Sequence, residues 1–208
     1  MKVLLINGSP HQKGCTYTAL REVEKTLNEE GIETELIQIG SRIIRGCVAC
    51  NACDKLDRCV FNDDPVNEIG DKLRASDGIV VGSPVYYAGP NGTLVNLLTR
   101  IFYSNGEDLS MKVGAAVVSC RRSGATATFE QLNKFFTISG MPVVSSQYWN
   151  NVHGFTAEDV EKDLEGLQTM RTLAHNMAFL MRGISAAKES EGLPEKEARV
   201  STSFPDGL

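Results

Sequence analysis

The sequence predicts an α/β fold: a three-layer sandwich in which five parallel strands lie between two layers of helices. Three observations lead there. Strand-like runs recur at residues 3–6, 32–39, 78–84, 113–120 and 142–149, and the first is apolar throughout, as in a strand buried on both faces. The stretches between them carry apolar residues at three- and four-residue spacing, the period of an amphipathic helix. Loops rich in glycine, serine and proline follow the first, third and fourth runs. Open α/β sheets bind ligands at such positions, outside the carboxyl ends of the strands.

Composition narrows the classes. The chain has 208 residues, 42% apolar and 23% charged, which is ordinary for a water-soluble globular domain with a substantial core. A net charge of −5 argues against a general nucleic-acid or anionic-membrane surface. The opening apolar run is too short for a signal peptide, and no later run would span a bilayer. A cytoplasmic, reduced protein is the expectation. One domain is expected over residues 1–187, with a cysteine-rich loop at 46–60, and a polar tail over 188–208.

In order, the first strand ends at Gly8, Ser9 and Pro10, and the following helix places Leu20, Val23 and Leu27 on one face. Strand, small-residue loop and helix present backbone N–H groups and a helix dipole to a phosphate. The loop has neither the lysine of a Walker A motif nor the G-x-G-x-x-G pattern. Its hydroxyls and amides suit the monophosphate of flavin mononucleotide (FMN), and the plainer reading is a βα turn capped by Thr16.

After the second strand comes a long connection holding four of the six cysteines, Cys47, Cys50, Cys53 and Cys59, spaced C-x2-C-x2-C-x5-C. Loops of this length inside a compact domain are usually functional. Three readings compete: a four-thiolate iron–sulfur cluster, a structural zinc, or free thiols. The compact start matches the ferredoxin run, although the last gap is longer and Val60 replaces its proline. Four-cysteine zinc sites usually come as two separated C-x2-C pairs. Asp64 and Pro65 then read as the N-cap and first residue of a helix through Val66, Ile69 and Leu73.

The third strand leads into Pro84, Val85, Tyr86 and Tyr87, whose rings could flank a flat ligand. The helix behind carries Leu94, Val95, Leu97, Leu98, Ile101 and Phe102. The fourth strand delivers Ser119, Arg121, Arg122 and Gly124 to the same end of the sheet, a suitable anchor for the carbonyl edge of a flavin. Cys120 reads as a buried apolar residue. A helix through Phe129, Leu132 and Phe136 follows. The fifth strand is expected at 142–149, with residues 150–154 turning outward. One last helix runs from Val160 to Leu180, and its His175 reads as a packed or solvent residue.

Ligand-type loops after strands one, three and four fit a flavodoxin-type order 2-1-3-4-5, with its switch point between strands one and three. Gly8-Ser9-Pro10, Gly82-Ser83-Pro84-Val85-Tyr86 and Arg121-Arg122-Ser123-Gly124 together resemble the NADPH-dependent FMN reductase family of the flavodoxin superfamily. The cysteine run is similar to that of its iron–sulfur flavoprotein branch. The resemblance implies that Ser9, His11, Thr16 and Tyr17 hold the FMN phosphate, with His11 and Cys15 departing from the family's usual arginine and asparagine. It implies that Pro84, Val85, Tyr86 and Tyr87 line the flavin ring, opposite Ser119, Arg121, Arg122 and Gly124. It also implies that Cys47, Cys50, Cys53 and Cys59 ligate a [4Fe–4S] cluster. The expected function is an FMN-dependent electron-transfer oxidoreductase, forming a homodimer or homotetramer and serving a small-molecule or protein electron donor and acceptor. Two alternatives stay open. One is a cluster-free NAD(P)H-dependent reductase of flavins, quinones or similar acceptors. The other is a non-catalytic binding module stapled by zinc.

Overall fold

The computed structural model describes residues 1–40, 42–105, 109–198 and 200. A five-stranded, all-parallel sheet has the order β2-β1-β3-β4-β5. Its strands are β1 (Lys2–Asn7), β2 (Glu33–Gln38), β3 (Gly78–Pro84), β4 (Val113–Cys120) and β5 (Asn151–His153). The helices are α1 (Cys15–Glu29), α2 (Cys53–Leu56), α3 (Val66–Arg74), α4 (Gly92–Asn105), α5 (Ala125–Ile138), α6 (Ala157–Lys162) and α7 (Leu164–Glu191).

Strand alternation splits the core in two. Val3, Leu5, Val80 and Val117 face α1 and α7, where Leu20, Val23, Leu27, Leu173 and Met177 close one core. Leu4, Ile6, Ile79, Val81 and Val118 face α3, α4 and α5, where Leu73, Leu97, Leu98, Ile101 and Phe136 close the other. With both faces covered, β1, β3 and β4 have no polar alternation, as a central parallel strand requires.

Two expectations fail near the C-terminus. The fifth strand is not at 142–149. That segment makes a single bridge between Gly114 and Val143, then leaves the sheet, and the chain rejoins β4 only at Asn151–His153. The detour is held by α7. Thr169 O accepts from the Ser146 hydroxyl at 2.7 Å, Ser145 O accepts from the Asn176 amide at 2.9 Å, and Gln147 pairs with Gln168 at 3.0 Å. Polar side chains that bond a neighbouring helix compete with the ladder, and this edge strand yields to them. The last helix is also two helices, broken at Asp163. Its carboxylate accepts the Gly166 N–H at 2.9 Å, capping α7, and the His153 N–H at 2.7 Å, tying the break to β5. Thr156 and Asp159 form a capping box on α6. α7 continues through Lys188 to Glu191, and most of the polar segment beyond lies outside the described residues.

Candidate functional site

The carboxyl ends of β1, β3 and β4 bring the three predicted loops together. β1 stops at Asn7, whose fully buried side chain starts a small network. Its Oδ1 accepts the Ser9 N–H at 3.0 Å, its amide donates to Gln38 Oε1, and Gln38 Nε2 donates to Ser9 O at 2.7 Å. Ser9 Oγ accepts the His11 N–H at 3.1 Å and curls the loop back. Ser9 is buried, whereas His11 is exposed. Gly8 donates to Gly82 O at 2.8 Å, and a Cβ on Gly8 would sit 2.8 Å from that same oxygen. Only glycine permits so close an approach between the first and second loops.

Thr16 does not cap α1. The helix starts at Cys15 with Gly14 at the cap, and no side chain among the described residues caps it. Thr16 lies inside the first turn, and its buried hydroxyl is 2.7 Å from the hydroxyl of Ser119. That pair locks the first loop to the third. Tyr17 is half-buried beside it. The free backbone donors of an uncapped first turn, at the positive end of a helix, are what an anionic group would meet here.

The second loop is a tight reverse turn. Tyr86 and Gly89 exchange backbone hydrogen bonds of 2.8 and 2.9 Å, and the central residues Tyr87 and Ala88 have φ of 49° and 58°. Two positive φ values make this a type I′ turn, a conformation that normally selects glycine, asparagine or aspartate. Left-handed backbone at non-glycine residues costs about 1–3 kcal/mol each and clusters at ligand clamps. Tyr87 is wholly exposed and Tyr86 44% exposed, so the strained turn holds both rings out at the loop cluster. Val85 N–H donates to Ser119 O at 3.0 Å. In the third loop, Gly124 has φ of 85°, and a Cβ there would lie 2.9 Å from Val85 Cγ1 and 3.0 Å from Ala88 Cα. Arg121 and Arg122 are exposed, and the Arg121 guanidinium lies 5.7 Å from the centre of the Phe155 ring.

The cysteine loop runs beside α4. All four cysteines are free, and all four line one cavity with Phe61, Arg100 and Tyr103. Ala49, Asn51 and Asp57 have φ between 51° and 55°, so the run turns sharply between its cysteines. Cys47 Sγ accepts the Ala49 N–H at 3.4 Å. Burial and the charge of Asp54 push the Cys53 thiol above its ordinary value. Cys59 is fixed most firmly: Asn67 accepts its N–H at 3.0 Å and donates to its carbonyl at 2.9 Å. Among the described residues no three histidine, cysteine or acidic side chains are gathered as ligands of a single ion. A cubane cluster takes one thiolate at each iron corner, a wider arrangement.

Several residues escaped the sequence reading. The Asn7–Gln38 clamp joins residues 31 apart and has no local signal. Asn91 caps α4, its Oδ1 accepting from Thr93 at 2.8 Å, and asparagine before an apolar run is a recognisable cap. Arg100 is buried in the apolar helix α4 and pairs with buried Asp64. A charge inside an apolar helix face was the available clue. Asp64 is not the N-cap of α3: Pro65 takes that place and the helix starts at Val66, while one Asp64 carboxylate oxygen accepts the Val66 N–H at 3.2 Å and the other holds Arg100. Arg45 pairs with Asp63, and its guanidinium stacks 4.5 Å from the centre of Phe61. His175 is exposed on α7 and lies 2.7 Å from Glu30.

Known proteins share the sequence pattern and the fold. Residues 1–156 match the NADPH-dependent FMN reductase family. An iron–sulfur flavoprotein of Methanocaldococcus jannaschii is 36% identical over 190 residues, covering 88% of this chain and 98% of that one. An iron–sulfur flavoprotein of Methanosarcina thermophila is 31% identical over 193 residues, covering 91% of this chain and all of its own length. An archaeal flavodoxin shares the fold at a TM-score of 0.58 and 16% identity, over 88% of this chain and 99% of its own. No helix among the described residues is long and apolar enough to cross a membrane. The chain belongs to the NADPH-dependent FMN reductase family and is an FMN-dependent oxidoreductase, similar in sequence to the iron–sulfur flavoproteins.

Proposed function

We propose that the chain carries a [4Fe–4S] cluster on Cys47, Cys50, Cys53 and Cys59 beside its FMN, and moves single electrons between the two. The observation that carries this reading is the cavity lined by all four free thiols, with its fourth cysteine anchored in the fold. Bound FMN supplies a two-electron store and the cluster a one-electron relay.

The chain's own part is position and electrostatics. The open first turn of α1, with Ser9, His11 and Tyr17 around it, receives the phosphate. Thr16 and Ser119 act beneath it by pinning the loops together. Pro84, Val85, Tyr86 and Tyr87 line the ring, and Gly124 lets the third loop close on them. Arg121 and Arg122 set positive charge where a reduced flavin gathers electron density. Gly92 starts α4 directly after the ring-side loop, and Arg100 and Tyr103 follow eight and eleven residues later. At 1.5 Å per residue the cysteine cavity lies about 12–17 Å along that helix. Exposed Tyr87 and Phe155 at this end of the molecule favour a second copy covering the flavin in a homodimer or homotetramer.

Counting electrons tests the proposal. Anaerobic titration of the wild type with a one-electron reductant should take up three equivalents per chain, two for flavin and one for the cluster, and C59A should take two. Two equivalents in the wild type would contradict it. The family description favours a second reading, an NADPH-dependent reductase that works without the cluster. Sustained NADPH oxidation by C59A, with a flavin or quinone acceptor and no partner protein, would select it.

A further inference from the structure

We propose that Arg100 is a positioning residue for the fourth ligand, donating two hydrogen bonds to the Cys59 sulfur and thereby raising the reduction potential of the cluster. The inference rests on the cluster reading above. Arginine has five N–H donors, and each of them has a partner here. Nε and Nη2 both reach Cys59 Sγ, at 3.3 and 3.2 Å. Nη1 takes Asp64 and, at 3.5 Å, Arg45 O; Nη2 also reaches Phe61 O at 3.5 Å.

The allocation is unusual. A buried arginine facing a carboxylate normally sets two parallel N–H groups on its two oxygens, the strongest arrangement open to it. Here the Nε–Nη2 fork goes to sulfur, and Asp64 receives Nη1 alone. A neutral thiol sulfur is a weak acceptor, poor return for two of the strongest donors in a site where the Arg100 and Asp64 side chains are only 1% and 4% exposed. A metal-bound thiolate is the acceptor that suits the fork. Among the described residues the other three sulfurs receive nothing comparable: Cys47 has one backbone N–H, and Cys47 and Cys50 are exposed. The fold therefore prepares Cys59 ahead of the rest. Hydrogen bonds to cluster sulfurs and low exposure are among the levers that set the potential of an iron–sulfur centre. A cation aimed at one ligand favours the more negative, reduced cluster.

Two variants of the full chain, reconstituted anaerobically with iron and sulfide, test this. R100M/D64N removes the buried pair together and leaves no stranded charge. R100K keeps a cation for Asp64 and loses the fork. Each is assayed for FMN, iron and sulfide per chain, and for separate cluster and flavin midpoint potentials by redox titration. The expected result is a cluster midpoint below that of the wild type in both variants, with the flavin midpoint unchanged. A fully loaded R100M/D64N at the wild-type cluster potential overturns the proposal. If that variant holds less iron than the wild type, R100K decides by the same criterion. Loss of iron from both, with FMN retained, also overturns it, because Arg100 would then merely hold the loop's shape. No iron in the wild type would instead remove the cluster reading itself and this inference with it.

Discussion

Gly124 shows how much the site asks of single residues. Its φ of 85° is left-handed, and the space for a Cβ is taken by Val85 and the Ala88 backbone. G124A should lose about 1–2 kcal/mol from the left-handed backbone alone, more with the clash, and should bind FMN more weakly because the ring-side loop is pushed away. Thermal unfolding with and without FMN checks both effects. Wild-type stability together with wild-type FMN affinity would show that the two loops are not coupled as described. The type I′ turn at Tyr87 and Ala88 was unreadable in the sequence, since neither residue favours positive φ. The double use of Asp64 was hidden for another reason. Asp64 before Pro65 signals a cap, but its second partner is 36 positions away.

Among the elements, those set by local pattern were legible and those set by competition were not. β3 and β4 lie where their unbroken apolar runs put them, because a central strand has no polar choice to make. β5 was misplaced because residues 145–147 bond α7 rather than β4, and only the packed structure decides that contest. α7 is itself clamped to α1 through Glu30, which meets His175 at 2.7 Å and Arg182 at 2.8 Å. Hydrogen bonds from His175 and then Arg182 hold the Glu30 carboxyl below its ordinary value. A depressed carboxyl stabilises the fold fully above its unfolded pKa of about 4.3, and that stability is lost as pH falls through the lower folded value. E30Q should therefore melt below the wild type at pH 7, and the gap should close as pH drops beneath the carboxylate range. A gap of constant size down to strongly acid pH would rule out the clamp.

For the whole molecule, the sheet order 2-1-3-4-5 puts β1, β3 and β4 side by side, so three loops distant in sequence meet at one edge. That convergence was legible because each loop follows an apolar run whose place in the sheet is fixed by burial. The four cysteines were legible as a group from spacing alone. Their dependence on α4, through Arg100 and Tyr103, was not, because α4 follows about 40 residues later in the sequence and meets the loop only in the fold. The same helix starts just after the second loop, so one rigid element sets the position of both the loop cluster and the cysteine cavity. The central claim is that both are filled. The most direct measurement is the ultraviolet–visible spectrum of anaerobically purified protein, with iron and acid-labile sulfide assayed on the same sample. Flavin bands on a broad absorbance near 400 nm, with about four irons and four sulfides per chain, are the predicted result. A clean flavin spectrum without iron would contradict it and leave a cluster-free FMN reductase.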